Sequence, residues 1–233
     1  LYYSFQTLEK KPLAPFEIVG IVLSLGIILG SNGINVAHEL GHRKKLYERI
    51  LGKILLVPSH YTHFFVEHNH GHHLDVSTPE DPSTAKYNQN LYSFWLQSVS
   101  GTYVKAWKIQ KKLNKINKTP FFSLKNDMLW FTIVQVVYLL SIYIFFNFKV
   151  IVVAFVAGIV GFLLLETINY IEHYGILRKQ LENGRYEKVN PLHSWNANHF
   201  YSNLLLFHLQ RHSDHHAYAS RPYQALRHFD ESP

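Results

Sequence analysis

Two uncharged apolar runs set almost back to back constrain this chain more than any other feature. Residues 129–148 read LWFTIVQVVYLLSIYIFFNF, and 150–165 read VIVVAFVAGIVGFLLL, running on past Glu166 and Thr167 towards Ile168. About 20 apolar residues in a helix cross a bilayer, so each run predicts a span. The few residues at 147–149 between them predict an antiparallel hairpin. A third run, 16–37, reads FEIVGIVLSLGIILGSNGINVA with Glu17 as its only charge. Its Gly20, Gly26, Gly30 and Gly33 suit close packing of membrane helices. Gly26, Gly30 and Gly33 would alternatively leave room for a substrate channel along that span. Residues 51–66 are apolar too, but Lys53, Pro58 and His60 interrupt them, so this stretch is expected at the interface or buried in protein. The expected fold is all-α: an integral-membrane helical bundle, one domain over residues 1–233, with spans at about 16–37, 129–148 and 150–168.

Charge orients the bundle. Arg43, Lys44, Lys45, Arg49 and Lys53 follow the first span, and Lys105, Lys108, Lys111, Lys112, Lys115, Lys118 and Lys125 precede the second, whereas Lys149 stands alone at the hairpin tip. Basic loops stay on the cytoplasmic side, so the large loop and the C-terminal tail are expected there. Lys10 and Lys11 run mildly against this. The chain begins at Leu1, and an N-terminal truncation with an odd number of missing spans upstream is expected. The formal charge of +7 is distributed as topology requires, and no recognition helix or aromatic sheet motif accompanies it, so no nucleic-acid partner is expected. The chain has no cysteine. That excludes disulfides, thiolate-ligated haem, iron–sulfur clusters and a catalytic thiol.

Histidine is unusually common, 16 against 16 Asp plus Glu, and it clusters. His38-Glu-Leu-Gly-His42 follows the first span at a spacing of four, which puts both rings on one helix face. Glu67-His68-Asn-His70-Gly-His72-His73 repeats that spacing, and His212-Ser-Asp214-His215-His216 combines spacings of three and four. His173, in NYIEHYG, ends the third span. All four clusters fall on one predicted side, so they can meet at a single membrane–cytoplasm boundary as a His-rich cap holding a di-metal site. Nine imidazoles exceed what one metal accepts, and two metals with four or five ligands each is the natural division. Imidazole suits Zn, Cu, Fe and Ni alike. Glu39, Glu67, Glu172 and Asp214 lie beside these histidines and are candidates to orient their rings. His60, His63, His70, His193, His199, His208 and His228 have no such motif, although His208 lies four residues before His212 and could replace a ligand.

At these clusters the chain resembles the membrane-bound alkane 1-monooxygenases, within the wider group of membrane desaturases and hydroxylases. The stretches concerned are NVAHELGHRKK (35–45), EHNHGHHLDVSTPEDPSTA (67–85), NYIEHYGILR (169–178), GRYEKVNPLHSWNANH (184–199) and LQRHSDHHAYASRPYQ (209–224). The resemblance implies two iron ions as cofactor, held by His38, His42, His68, His72, His73, His173, His212, His215 and His216. It implies O2-dependent terminal hydroxylation of n-alkanes in the bacterial inner (plasma) membrane. Electrons would come from rubredoxin, reduced by its NADH-dependent reductase, and the Lys-rich stretch 105–125 is a candidate docking surface as well as a topological signal. Two other readings stay open: a fatty-acyl desaturase or hydroxylase with the same His cage, and a non-enzymatic metal transporter or sensor.

Overall fold

The computed structural model describes residues 1–233 and is helical throughout, its one β feature being an isolated bridge between Gln180 and Tyr186. Three helices are long and apolar enough to cross a membrane: α2 (Pro15–Gly41), α6 (Asp127–Phe145) and α7 (Phe148–His173). Before them lies α1 (Tyr2–Lys10). Between α2 and α6 come α3 (Leu46–Leu55), α4 (Phe64–Glu67 continued by His68–His72 and His73–Asp75) and α5 (Leu91–Ile116). The tail carries two short helices, α8 (Phe200–Leu205) and α9 (His212–Ala217).

Local chemistry sets the boundaries. Pro15 opens α2, where its missing N–H is no loss, and the Glu17 carboxylate accepts from the Ala14 N–H at 2.7 Å. Asparagine caps three long helices: Asn90 accepts from Ser93 N–H at 2.9 Å, Asn126 from Leu129 N–H at 3.2 Å and Asn147 from Val150 N–H at 3.1 Å. Asn147 therefore closes the expected hairpin by ending one span and starting the next. The stretch 51–66 holds only the end of α3, turns, and the start of α4, so it forms no span, as its Lys, Pro and His predict.

The third span is longer than its hydrophobicity suggests. α7 runs 26 residues, about 39 Å at 1.5 Å per residue, against a hydrocarbon core of about 30 Å. It passes Glu166 without a break because that carboxylate is buried and satisfied. Tyr61 donates to it at 2.7 Å, Asn169 at 3.3 Å, and the Ser98 hydroxyl also donates. The extra length carries His173 into the polar cap.

α2 packs directly on α7. A Cβ at Gly26 would lie 2.4 Å from Cγ1 of Val160, and one at Gly30 would lie 3.0 Å from the Gly161 carbonyl oxygen. These glycines permit close helix contact, so of the two readings of this face, packing and a channel, packing holds at Gly26 and Gly30. Gly33 has no comparable neighbour, its nearest being the Leu55 carbonyl oxygen at 3.7 Å. A core including Ile34, Leu56, Phe65, Met128 and Leu165 lies between α2, α6, α7 and the helices of the cap.

Candidate metal centre

Four elements deliver imidazoles to one place. α2 and the turn after it bring His38 and His42, α4 brings His68, His72 and His73, the last residue of α7 is His173, and α9 brings His212, His215 and His216. The ring nitrogens fall into two groups. His38, His42, His68, His73 and His215 form one; His72, His173, His212 and His216 form the other, with the ligand atoms of each group within 4.8 Å of one another. All nine histidines expected from the sequence are thus brought together, while His208 and the six histidines without a motif stay outside.

The division between groups follows from helix geometry. His38/His42 and His212/His216, four apart, share a group, as helical rotation predicts. His68 and His72 do not. α4 is π-helical at His68–His72, and the His73 N–H donates to the His68 carbonyl five residues back. That wider turn aligns His68 with His73 and sends His72 to the second group. π-turns inserted in α-helices are frequent at functional sites, and here the turn separates the two groups.

The contacts between rings fit a cation better than hydrogen bonds. In the first group the Nε2 atoms make six approaches of 3.0–3.3 Å among five nitrogens. In the second they make three of 2.8–3.2 Å among four. Each ring nitrogen has one in-plane position and is either donor or acceptor, so these networks cannot all be hydrogen-bonded. Donors bound at about 2.1 Å to one ion lie about 3 Å apart along the edges of its coordination polyhedron, which is the spacing observed. The residues present fit a pair of metal ions.

Electrostatics favours neutral, ligating rings. Burial, then the neighbouring rings, holds His68, His73, His212, His215 and His216 well below the usual histidine range, and His42 down to about 4. His72 is the exception. Burial pulls it down, but Asp81 more than offsets that and raises it.

Asp81 is the residue that reading the sequence missed. Its carboxylate lies 2.9 Å from His72 Nδ1, fully buried, and also accepts from the Thr84 hydroxyl at 2.7 Å. Such a carboxylate fixes the orientation of a ligating ring and raises its basicity. The only signal was an acid in a Pro-flanked run of Ser and Thr, nine residues from the ring it meets.

The four carboxylates expected in that role sit elsewhere. Glu39 pairs with Arg43 at 2.5 Å and Asp214 binds Arg221 and the Arg227 side chain and N–H, tying the tail to α9. Glu67 lies 3.3 Å from Lys105, which also pairs with Asp75 at 2.9 Å. Burial raises Glu67 to about 7. Lys105 is thus built into the cap and is no part of an exposed basic stretch. Glu172 alone touches a ligand, 3.3 Å from His212, but at Nε2, the side that faces the other ligands.

Three membrane-length helices and nine convergent histidines at one end of them, seven buried and two half-buried, define a class of helical membrane proteins able to hold metal ions. The chain belongs to the fatty acid desaturase family, which it matches over residues 14–231. It is 44% identical over 226 residues to alkane 1-monooxygenase 1 of Alcanivorax borkumensis, covering 97% of this chain and 55% of that one. It is 44% identical over 215 residues to alkane 1-monooxygenase 2 of Pseudomonas aeruginosa, covering 92% and 57%. The hydroxylase component of a xylene/toluene monooxygenase from Pseudomonas putida is more distant, 26% identical over 94% of this chain and 58% of its own length. The resemblance read from the motifs is therefore borne out, and the chain spans about half the length of the curated relatives it matches.

Proposed function

We propose that this chain forms the catalytic part of an alkane 1-monooxygenase that converts n-alkanes to primary alcohols at a pair of histidine-held iron ions. The observation that carries this reading is the convergence of nine imidazoles, seven buried and two half-buried, in groups of five and four. In the balanced reaction an alkane, O2, two electrons and two protons give an alcohol and water. The 44% identity to alkane 1-monooxygenases, against 26% to the xylene/toluene enzyme, favours a linear alkane over an aromatic substrate.

When bound, iron supplies the O2 chemistry needed at an unactivated C–H bond, which no acid or base of the chain can attack. The chain supplies the rest. Asp81 holds the His72 ring, and the π-turn of α4 assigns His68 and His73 to one group and His72 to the other. Burial of the ligands excludes water and lets apolar substrate approach from the bilayer. Electrons must come from outside, and rubredoxin is the proposed donor. Lys108, Lys111, Lys112 and Lys115 of α5 are exposed and pair with no carboxylate, which suits an acidic partner. We place the site on the cytoplasmic side of the inner membrane from the charge asymmetry of the loops.

The test uses the full-length protein in lipid nanodiscs with iron, reduced rubredoxin, its reductase and NADH, under 18O2. One labelled oxygen atom in a terminal alcohol is expected. Desaturation or hydroxylation of acyl chains with untouched alkanes would move the protein to the acyl-oxidising branch of its family.

A further inference from the structure

Glu172 is a buried carboxylate with no hydrogen-bond partner on either oxygen. Nearly all buried polar groups are satisfied, so an orphaned carboxylate asks for a ligand. It sits one residue before His173, with Oε2 3.3 Å from His212 Nε2, on the face where the four-histidine group converges. Glu172 also lines a cavity of about 210 Å³ shared with Ile168, Ile171, Trp195, Ala197 and Leu206. No histidine lines this cavity, but one of its lining residues, Glu172, approaches a ring of the four-histidine group on the Nε2 side. The cavity that includes Asp81 reaches His72 from the Nδ1 side, away from the convergent nitrogens, and the 440 Å³ cavity around His60 and His63 contains no residue of either group.

We propose that this cavity receives the reacting end of the apolar substrate, with Glu172 at its inner end accepting a hydrogen bond from the hydroxyl of the product. The inference rests on the hydroxylase reading above. Three observations support it. The cavity walls are apolar except near the carboxylate and at Asn196 and Gln210. Ile171, on a membrane-spanning helix, is 55% exposed beside the cavity. α8, which leads into Leu206, exposes Phe200, Tyr201, Leu204 and Leu205, so the apolar surface at the mouth continues onto the tail. An alkane leaving the bilayer would therefore pass from one apolar surface to another and meet its first polar group at Glu172. The small volume holds only the end of a chain, about seven carbons at roughly 30 Å³ per methylene, packing gaps included. The rest of the chain would extend along the lipid-facing mouth.

Trp195 makes the proposal measurable, because a bromine on the substrate chain quenches indole fluorescence at contact. The experiment titrates iron-loaded, full-length protein in nanodiscs with a terminally brominated alkane, and takes the Trp195→Phe variant as the reference for every other tryptophan. Saturable quenching that disappears in Trp195→Phe is expected. Ala197→Phe, which fills the cavity, should abolish that quenching while the iron content stays at the wild-type value. Glu172→Leu keeps roughly the size and removes the hydrogen-bond acceptor. It should leave bromoalkane quenching unchanged but weaken competition by a primary alcohol about tenfold. Alkane turnover with no Trp195-dependent quenching would overturn the cavity assignment and leave the hydroxylase reading intact. Quenching by brominated acyl chains alone would keep the cavity and overturn the alkane reading. Equal competition by alcohol in wild type and Glu172→Leu would remove Glu172 from the role assigned to it.

Discussion

At the residue scale, Asp81 meets the His72 ring at Nδ1, 2.9 Å away, and sets its orientation. The nine histidines could be named because they cluster along the chain beside span ends and in the cap, and that clustering holds even where the π-turn parts His68 from His72. Asp81 could not, since its partner is brought to it by the loop 76–90 and not by helical periodicity. Its role is tested by Asp81→Asn, which should weaken metal binding at the four-histidine group by about 10- to 100-fold while the five-histidine group keeps its metal. Metal titration followed by absorption of the cobalt-substituted protein would separate the two groups. An unchanged isotherm would leave Asp81 a loop-folding residue only. Histidines also set the acid sensitivity of the metal-free protein. Burial holds His63, which is outside both groups, down to about 3, and His42 down to about 4. Between those values and the unfolded value near 6.5 the unfolded chain binds more protons, so stability falls as pH drops below about 6.5. Each such group contributes a slope of up to about 1.4 kcal/mol per pH unit. Unfolding midpoints of metal-free protein between pH 8 and 5 should therefore fall only in the lower part of that range. A flat profile would contradict the burial of these rings in a neutral state.

At the scale of elements, hydrophobic runs revealed the three spans and their hairpin. The apolar run carries the third span past Glu166 and Thr167 to about 168, with His173 at its end. In the fold, Tyr61 and Ser98 from outside α7 satisfy Glu166, so the helix continues to His173. The π-turn in α4 was invisible, because i,i+4 spacing is written in the sequence whether or not the helix widens. Gly71 within that turn has little free space. A Cβ there would lie 2.7 Å from Glu67 Oε1 and 2.8 Å from Ile109 Cδ1. Gly71→Ala should destabilise the fold by about 1–3 kcal/mol through overpacking and disturb both metal groups together. Loss of metal from one group alone would show that the turn does not couple them. On the α2–α7 face, Gly26→Leu drives a branched side chain into Val160. Yield and activity should fall alike for short and long alkanes, because this face is packed. A selective loss of long substrates would restore a channel there.

For the molecule as a whole, the arrangement joins an apolar bundle to a polar cap at the point where α2 and α7 end. α2 and α7 carry His38 and His173 to that junction, α4 and the tail helix α9 close over it, and the Arg221 and Arg227 contacts with Asp214 hold the tail down. Each group draws its ligands from three separate stretches of chain, so metal should bind the folded state far better than the unfolded one. Its removal by a chelator should lower the unfolding midpoint by several degrees. The central claim, two irons held by histidine groups of five and four, is tested most directly by iron analysis and Mössbauer spectroscopy of the 57Fe-loaded full-length protein. The account predicts two irons per chain in two distinguishable, nitrogen-rich environments, falling to one when His215→Ala disrupts the five-histidine group. A single iron in the wild-type protein, or two irons unaffected by both His215→Ala and His212→Ala, would contradict it.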